Sequence, residues 1–339
     1  MGPLRALLRH ARRARFASRP AAGLPADAEV LLDAPDERLA PALVAAARGE
    51  YEPAAKLLAA ARGGAEWEHR DRYVRRLAVF ARSRPAWVEA WRAAAPADPD
   101  AQLLVAQLAV DRGWSSPART ELLGEAGALI AAAAEADRRD PVPWRIALDR
   151  ARGMNAGHTE FERLWREALR RSAHHYGCHV AALRYLVRLP AASPGAADSF
   201  DACLAFAESA ARDAPPGALV QALPAHAAHA CLARGLMVPR GRLDAAADRA
   251  VALSALYPSA DPWPAEVRNL LAHLLVRLDR PRDALRELRL AGPYVTSFPW
   301  DRVSEDPLEH VLRLRAELTT AAGRGPRSER GGHATAGDH

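Results

Sequence analysis

The chain has 339 residues, half of them hydrophobic, with a formal charge of +6. That is apolar matter enough for one large core or a row of small helical units, and it excludes a disordered or collagen-like chain. Six arginines, at positions 5, 9, 12, 13, 15 and 19, with no acid among residues 1 to 19, equal the whole formal charge, so the body that follows is formally neutral.

A nucleic-acid-binding body carries its basic excess on the folded surface, so no nucleic-acid partner is expected here. Lys56 is the one lysine among 47 basic residues, the usage of a GC-rich coding sequence. Cys178, Cys203 and Cys231 stand 25 and 28 residues apart with no CxxC pair, which excludes a disulfide framework or zinc ribbon. The longest apolar run, Ala126 to Ala134, has nine residues, too few to span a membrane. Arg12 and Arg13 are followed by ARFASRP rather than an apolar stretch, so no secretory or twin-arginine signal is expected and the cytoplasm is the expected location.

In chain order, residues 1–27 read as a basic arm and linker. The segment MGPLRALLRHARRARF forms a basic amphipathic pattern with Leu4, Leu7, Leu8 and Ala11 on one side, either a loosely docked start or an arm that touches an anionic surface. Glu37 to Arg48 and Tyr51 to Ala61 make a first antiparallel hairpin around the turn Gly49-Glu50. Trp67 to Arg82 follows with the stripe Tyr73, Leu77, Phe80, and Pro85 restarts a helix whose Trp87 and Trp91, one turn apart, read as core. The dense run from Glu66 through Arg76 reads as a solvated face with i, i+4 ion pairs.

Asp98-Pro99 opens a helix that ends near Gly113, Ser116-Pro117 opens a long one to about Arg138, and Asp140-Pro141 opens the next, because an acid or serine cap before an early proline is a start signal. After the turn Asn155-Ala156-Gly157, the stretch from Thr159 to Glu162 has the spacing of a capping box, and Phe161, Leu164, Trp165, Ala168 and Leu169 mark one helical face. Helices are expected over Tyr176 to Leu189, Ser199 to Arg212, roughly 218 to 235, Leu243 to Leu256, a segment ending at Leu278, Pro281 to Leu290, and one opened by Asp306-Pro307 that ends near Ala321; a loop lies near 190–198. No segment alternates as a strand does. The expectation is an all-α body over 28–322 with some thirteen to fifteen helices, and a disordered tail over 323–339.

The Asp-Pro pairs at Asp98, Asp140, Asp261 and Asp306 are 42, 121 and 45 residues apart, so the chain reads as units of about 40 residues, each a helical hairpin that buries its apolar face on its neighbours. Leu271, Ala272 and Leu275 on one helix, with Ala284, Leu288 and Ala291 on the next, have the large-and-small spacing of the tetratricopeptide repeat; Ala54, Leu58 and Ala61 repeat the second half, and Ala246 and Ala250 do so less fully. On these residues the chain resembles the tetratricopeptide-repeat (TPR) family and α-solenoids generally, and is expected to be a bacterial member. Trp144 fills the family's leading tryptophan position, while Trp165 and Ala168 fit only after a one-residue insertion. The resemblance implies a right-handed superhelical stack of antiparallel helical hairpins, a TPR-like α-solenoid, whose inner helices line a groove for another protein or peptide. The family's carboxylate clamp needs lysines and asparagines that this chain lacks.

Within such a groove, the candidate binding residues are Trp144, His175, His179, Tyr185, His226 and His229. His174, His175, Cys178 and His179 cluster on one inner helix and His226, His229 and Cys231 on another, a spacing that admits a metal or Cys–His site if the helices face each other. No carboxylate completes a metal signature, and no metal or cofactor is assigned. There is no GxxxxGKS or GxxxxGKT, no GxGxxG after a strand, no HExxH, GxSxG or SxxK. The expected function is a non-enzymatic interaction or scaffold module; the alternative is a regulatory domain that holds a small molecule or metal near the histidine and cysteine clusters.

Overall fold

The computed structural model describes residues 23–187 and 196–323. The arginine arm, most of the loop expected near 190–198, and the tail beyond Gly323 lie outside the described residues. The described residues are all-α, with sixteen helices and two strands of two residues each. They fall into two compact units: Pro35–Leu256, and a second that joins the segment ending at Ala34 to the one beginning at Tyr257.

The Pro35–Leu256 unit holds twelve described helices: α1 (Ala40–Ala47), α2 (Glu52–Gly63), α3 (Trp67–Ser83), α4 (Ala86–Ala94), α5 (Pro99–Trp114), α6 (Arg119–Ala136), α7 (Val142–Gly153), α8 (His158–Arg171), α9 (Tyr176–Val187), α10 (Ala196–Asp213), α11 (Leu223–Ala233) and α12 (Arg240–Ser254). Each packs on the next in pairs such as α5 with α6, α7 with α8 and α11 with α12, and the odd-numbered helices pack on one another: α3 on α5, α5 on α7, α7 on α9, α9 on α11.

Small residues bring the helices of this unit together. Ala54, Leu58 and Ala61, all fully buried, seat α2, and Val74, Leu77, Ala78 and Ala81 do the same for α3. Each fully buried leucine contributes about 1.5–3 kcal/mol over leaving it in water. Trp87 and Trp91 are core, as expected: both are fully buried, and the Trp91 ring stacks on Tyr51 at 5.9 Å.

The Asp-Pro starts form. Asp98 Oδ1 accepts from the backbone N–H of Asp100 at 2.8 Å and of Ala101 at 3.3 Å, and Asp140 Oδ1 accepts from Val142 N–H at 2.8 Å. At Ser116 the helix begins later than expected, at Arg119, with the serine Oγ holding the N–H of Ala118. The capping box at Thr159 does not form. Helix α8 begins one residue earlier, at His158, with Gly157 as its cap and no side-chain capping bond, and Glu162 pairs with His158 at 3.0 Å instead of turning back to the chain.

The second unit contains α13 (Ala265–Arg277), α14 (Pro281–Ala291), the short α15 (Ser297–Trp300) and α16 (Pro307–Gly323). It also holds strands where none was expected: β1 (Leu31–Leu32) lies parallel to β2 (Tyr294–Val295), held in register by Leu31 opposite Tyr294. Buried Arg268 donates to the carbonyls of Leu290 and Tyr257, each at 2.9 Å, and buried Asn269 donates to Ala265 O and Tyr294 O while accepting from Trp300 Nε1 at 2.8 Å. These bonds add side-chain donors to backbone carbonyls at helix ends and in the strand. The six residues that carry the repeat-like spacing, Leu271, Ala272, Leu275, Ala284, Leu288 and Ala291, are all buried where α13 and α14 pack.

Candidate functional site

The charged run at the start of α3 is not a solvated face, contrary to expectation. Arg70 is 1% exposed and Asp71 4%. Both fall in phase with Tyr73, Val74, Leu77 and Ala81 on the apolar stripe, so the helix that buries the stripe also buries them. Their partners are distant in sequence because the first turns of α3 lie beside the N-terminal regions of α5, α7 and α9.

Arg70 sits between two carboxylates, 2.6 Å from Asp100 on α5 and 2.7 Å from Asp140 at the head of α7, and donates to Leu58 O at 2.9 Å. Asp140 thus caps α7 with one oxygen and binds Arg70 with the other. Arg145 of α7 reaches back to Asp71 at 2.6 Å, with Asp149 at 3.4 Å. Glu68 accepts the N–H of Tyr176, the first residue of α9, at 3.0 Å, and His175 Nε2 lies 3.3 Å from Trp67 O.

Gly177 permits this approach. A Cβ at that position would lie 2.2 Å from Asp71 Oδ2, whose carboxylate is already fixed by Arg145.

The electrostatics follow from burial and pairing. Burial alone raises the Asp71 carboxyl, but Arg145, then His175 and Arg75, outweigh it and hold it below the usual carboxylate range. Burial pushes Asp140 up against the pull of Arg70, and raises Glu68 against His175 and the Tyr176 N–H. Asp111 is also pushed up by burial, although Gln107 Nε2 donates to it at 2.8 Å. Buried ion pairs of this kind gain little net stability over apolar packing, yet breaking one from a single side is costly. Here they join α3 to α5 and to α7.

The candidate groove residues are distributed around this hub. Trp144 is half-buried, with the Arg171 guanidinium 4.4 Å from its ring centroid. Buried Tyr185 stacks on Phe161 and donates from Oη to Ala156 O at 3.0 Å, which ties α9 to the turn between α7 and α8. His179 meets Trp165 edge-on at 4.9 Å, and its Nδ1 lies 3.0 Å from His175 O; burial pushes it down to about 4. His175 also accepts the N–H of Cys178 at Nδ1.

The two histidine clusters meet at one point: the Tyr176 hydroxyl and His226 Nε2 share a short hydrogen bond. His229, one turn along α11 from His226, is half-buried. Burial, reinforced by Arg184, His229 and Arg75, drives His226 well below its ordinary value.

The three cysteines are buried and unpaired, and burial pushes all three thiols up, Cys203 to about 12. A nucleophilic cysteine needs the opposite shift. Among the described residues, no group of three or more His, Cys, Asp or Glu side chains is placed to hold a metal ion, and no helix is long and apolar enough to cross a membrane.

Sequence reasoning took Glu68, Arg70, Asp71 and Arg75 for part of a solvated face and did not single out Asp100, Arg145, Tyr176 or Arg184. Two signals pointed to them: charges in phase with an apolar stripe in α3, and an Asp-Pro acid able to serve two partners. No protein-family model matches the chain, and neither the curated proteins nor the solved structures contain a match to it.

Proposed function

We propose that the chain is a non-enzymatic interaction or scaffold module, a solenoid-like stack of helical hairpins that works in the cytoplasm and binds another protein or peptide through the exposed face of its odd-numbered helices. The observation that carries this reading is the packing order in Pro35–Leu256, in which α3 packs on α5, α5 on α7, α7 on α9 and α9 on α11. Such a row buries its own core and leaves an extended face for recognition.

The chemistry of the interior supports the same reading. The cysteines are buried thiols rather than thiolates, and the buried acids and bases of the hub hold helix to helix. Exposed Val79, 59% accessible on α3 among Arg72, Arg76 and Arg82, is an apolar anchor within a basic surface, the complement of an acidic partner segment with an aliphatic side chain. The alternative, a regulatory domain holding a small molecule at the histidine clusters, has support at one place only, around His226.

The test is affinity capture with the full chain against a Val79→Asp, Arg76→Glu variant of unchanged far-UV circular dichroism. The proposal expects a partner retained by the native chain, even at salt that strips non-specific binders, and lost by the variant. A partner held equally by both, or none held by the native chain, contradicts it.

A further inference from the structure

We infer that β2, Ser297 and Arg315 of the second unit form a docking slot for an extended acidic segment of a partner protein, and that residues 24–34 of the chain itself occupy this slot until such a partner displaces them. The slot lies in the other unit from the helical face proposed above, so the two readings stand or fall separately.

The chain's own segment sits as a bound peptide does, through its backbone and a few side chains. Leu31 N–H donates to Pro293 O at 2.9 Å and Asp33 N–H to Val295 O at 2.7 Å, the way an added strand is held on a sheet edge. The Asp33 carboxylate is gripped at both oxygens: Ser297 N–H donates to Oδ1 at 3.0 Å and the Ser297 hydroxyl donates to Oδ2. Val30, 3% exposed, is the one buried side chain between Gly23 and Ala34, while Leu31 and Leu32 are exposed. A segment anchored by a single apolar side chain adds little to the core of its unit and belongs to the part of a fold that opens first.

The receiving groups are built into the unit, and one of them is only partly used. Arg315 on α16 is 6% exposed and donates from Nη2 to Pro25 O. Its Nη1 lies 3.7 Å from Asp27, and neither Nη1 nor Nε has a hydrogen-bond partner among the described residues. Burial pulls this guanidinium down, and Asp27 is the charge that supports it. A buried guanidinium with donors to spare is a carboxylate site, and Asp27 stands too far from it to close a bonded pair.

The chemistry of the occupant follows from these contacts. The anchor position takes a β-branched aliphatic residue, Ser297 takes an aspartate three residues after it, and Arg315 takes an acid three residues before it, the pattern of Asp27, Val30 and Asp33. Residues 24–34 carry three acids and no base, and a partner segment of the same pattern makes the same bonds in trans. The tethered segment has an effective concentration on the order of millimolar, so it holds the slot against weak ligands and yields to one that pairs fully with Arg315.

The experiment is fluorescence anisotropy with a labelled peptide of residues 24–34, titrated against the full chain and against a full-length Val30→Asp variant of unchanged far-UV circular dichroism. The variant removes the anchor of the tethered segment and leaves the slot. The inference expects saturable binding to the variant and binding about tenfold weaker or more to the native chain, whose own segment competes. An Asp33→Asn peptide should bind the variant about tenfold more weakly, the loss of a charge-assisted contact. Hydrogen exchange of the native chain supplies a readout that needs no variant: the amides of Leu31 and Asp33 should exchange about a hundredfold faster or more than that of buried Leu271 on α13. No saturable binding to the folded variant, equal binding by the native chain, equal binding of the Asp33→Asn peptide, or exchange of Leu31 and Asp33 only at the rate of Leu271 overturns the slot. A native chain that sediments as a dimer, lost in Val30→Asp, overturns the partner protein as occupant in favour of a second copy.

Discussion

Replacing Arg70 with methionine tests the hub directly. Methionine keeps an apolar side chain in the core but removes the guanidinium, leaving Asp140, formerly 2.7 Å from it, buried without its cation, while Asp100, formerly 2.6 Å from it, keeps only Arg62 at 3.2 Å. Breaking a buried pair from one side costs about 3–5 kcal/mol, which places the expected loss near 4 kcal/mol at neutral pH.

The sign of the pH dependence follows. In the variant Asp140, which burial already raises against the pull of Arg70, loses that pull and rises further above its unfolded value, so the folded state holds more protons and stability falls as pH rises from the unfolded carboxyl range toward neutrality. The penalty relative to the native chain is therefore smallest near pH 4, where protonation removes the uncompensated buried charge. Urea unfolding followed by circular dichroism, native chain against variant, at about pH 7 and about pH 4.5, measures it. A loss below about 1 kcal/mol at neutral pH, or one that does not shrink on acidification, refutes the assignment of Arg70 as the tie among three helices.

Other outcomes follow from the same geometry. Gly177→Ala forces a methyl into Asp71 Oδ2 and should cost about 1–3 kcal/mol, whereas Gly157→Ala, which meets nothing within 4 Å, should cost much less. His179, neutral in the fold until about 4, lets the unfolded chain take up a proton first as pH falls below about 6.5; His179→Phe should remove part of the resulting loss of stability, up to about 3 kcal/mol between those limits in an acid unfolding series. Asp98→Ala removes a cap that serves two backbone N–H groups and should lower the unfolding free energy by about 1 kcal/mol. Cys178, Cys203 and Cys231 should react with a thiol reagent only at the rate at which the chain opens, so denaturant rather than alkaline pH should accelerate labelling.

Much of the fold was legible because its punctuation is chemical. Asp98, Asp140 and Asp306 precede prolines and accept from backbone N–H groups where helices start, whereas Asp261 accepts from Trp263 N–H and its helix begins only at Ala265. Periodicity placed Phe161, Leu164 and Ala168 correctly on the buried face of α8. The Thr159 box failed because His158, an equally good first residue, gave Glu162 a nearer partner. The two-residue strands were illegible because each is too short to alternate, and their pairing joins segments more than 260 residues apart.

The hub was hidden for a different reason. Charge density on α3 is what a solvated helix shows, and only the partners, Arg70 with Asp140 and Asp71 with Arg145, distinguish the two cases. Those partners lie 70 and 74 residues away, beyond the reach of any local pattern. Tyr185 and His179 were chosen by type and helical position alone, and the hydrogen bonds that engage them depend on neighbours brought by the fold.

Site-specific photo-cross-linking tests the central claim, that the exposed face of the odd-numbered helices receives a protein partner, most directly. A photoreactive residue at exposed Val79 on α3 and another at exposed Ala132 on α6 are irradiated in the full chain within its native cell extract. The account predicts one discrete adduct from position 79, abolished by Arg76→Glu, and none from position 132. The same adduct from both positions, or none from position 79, contradicts it.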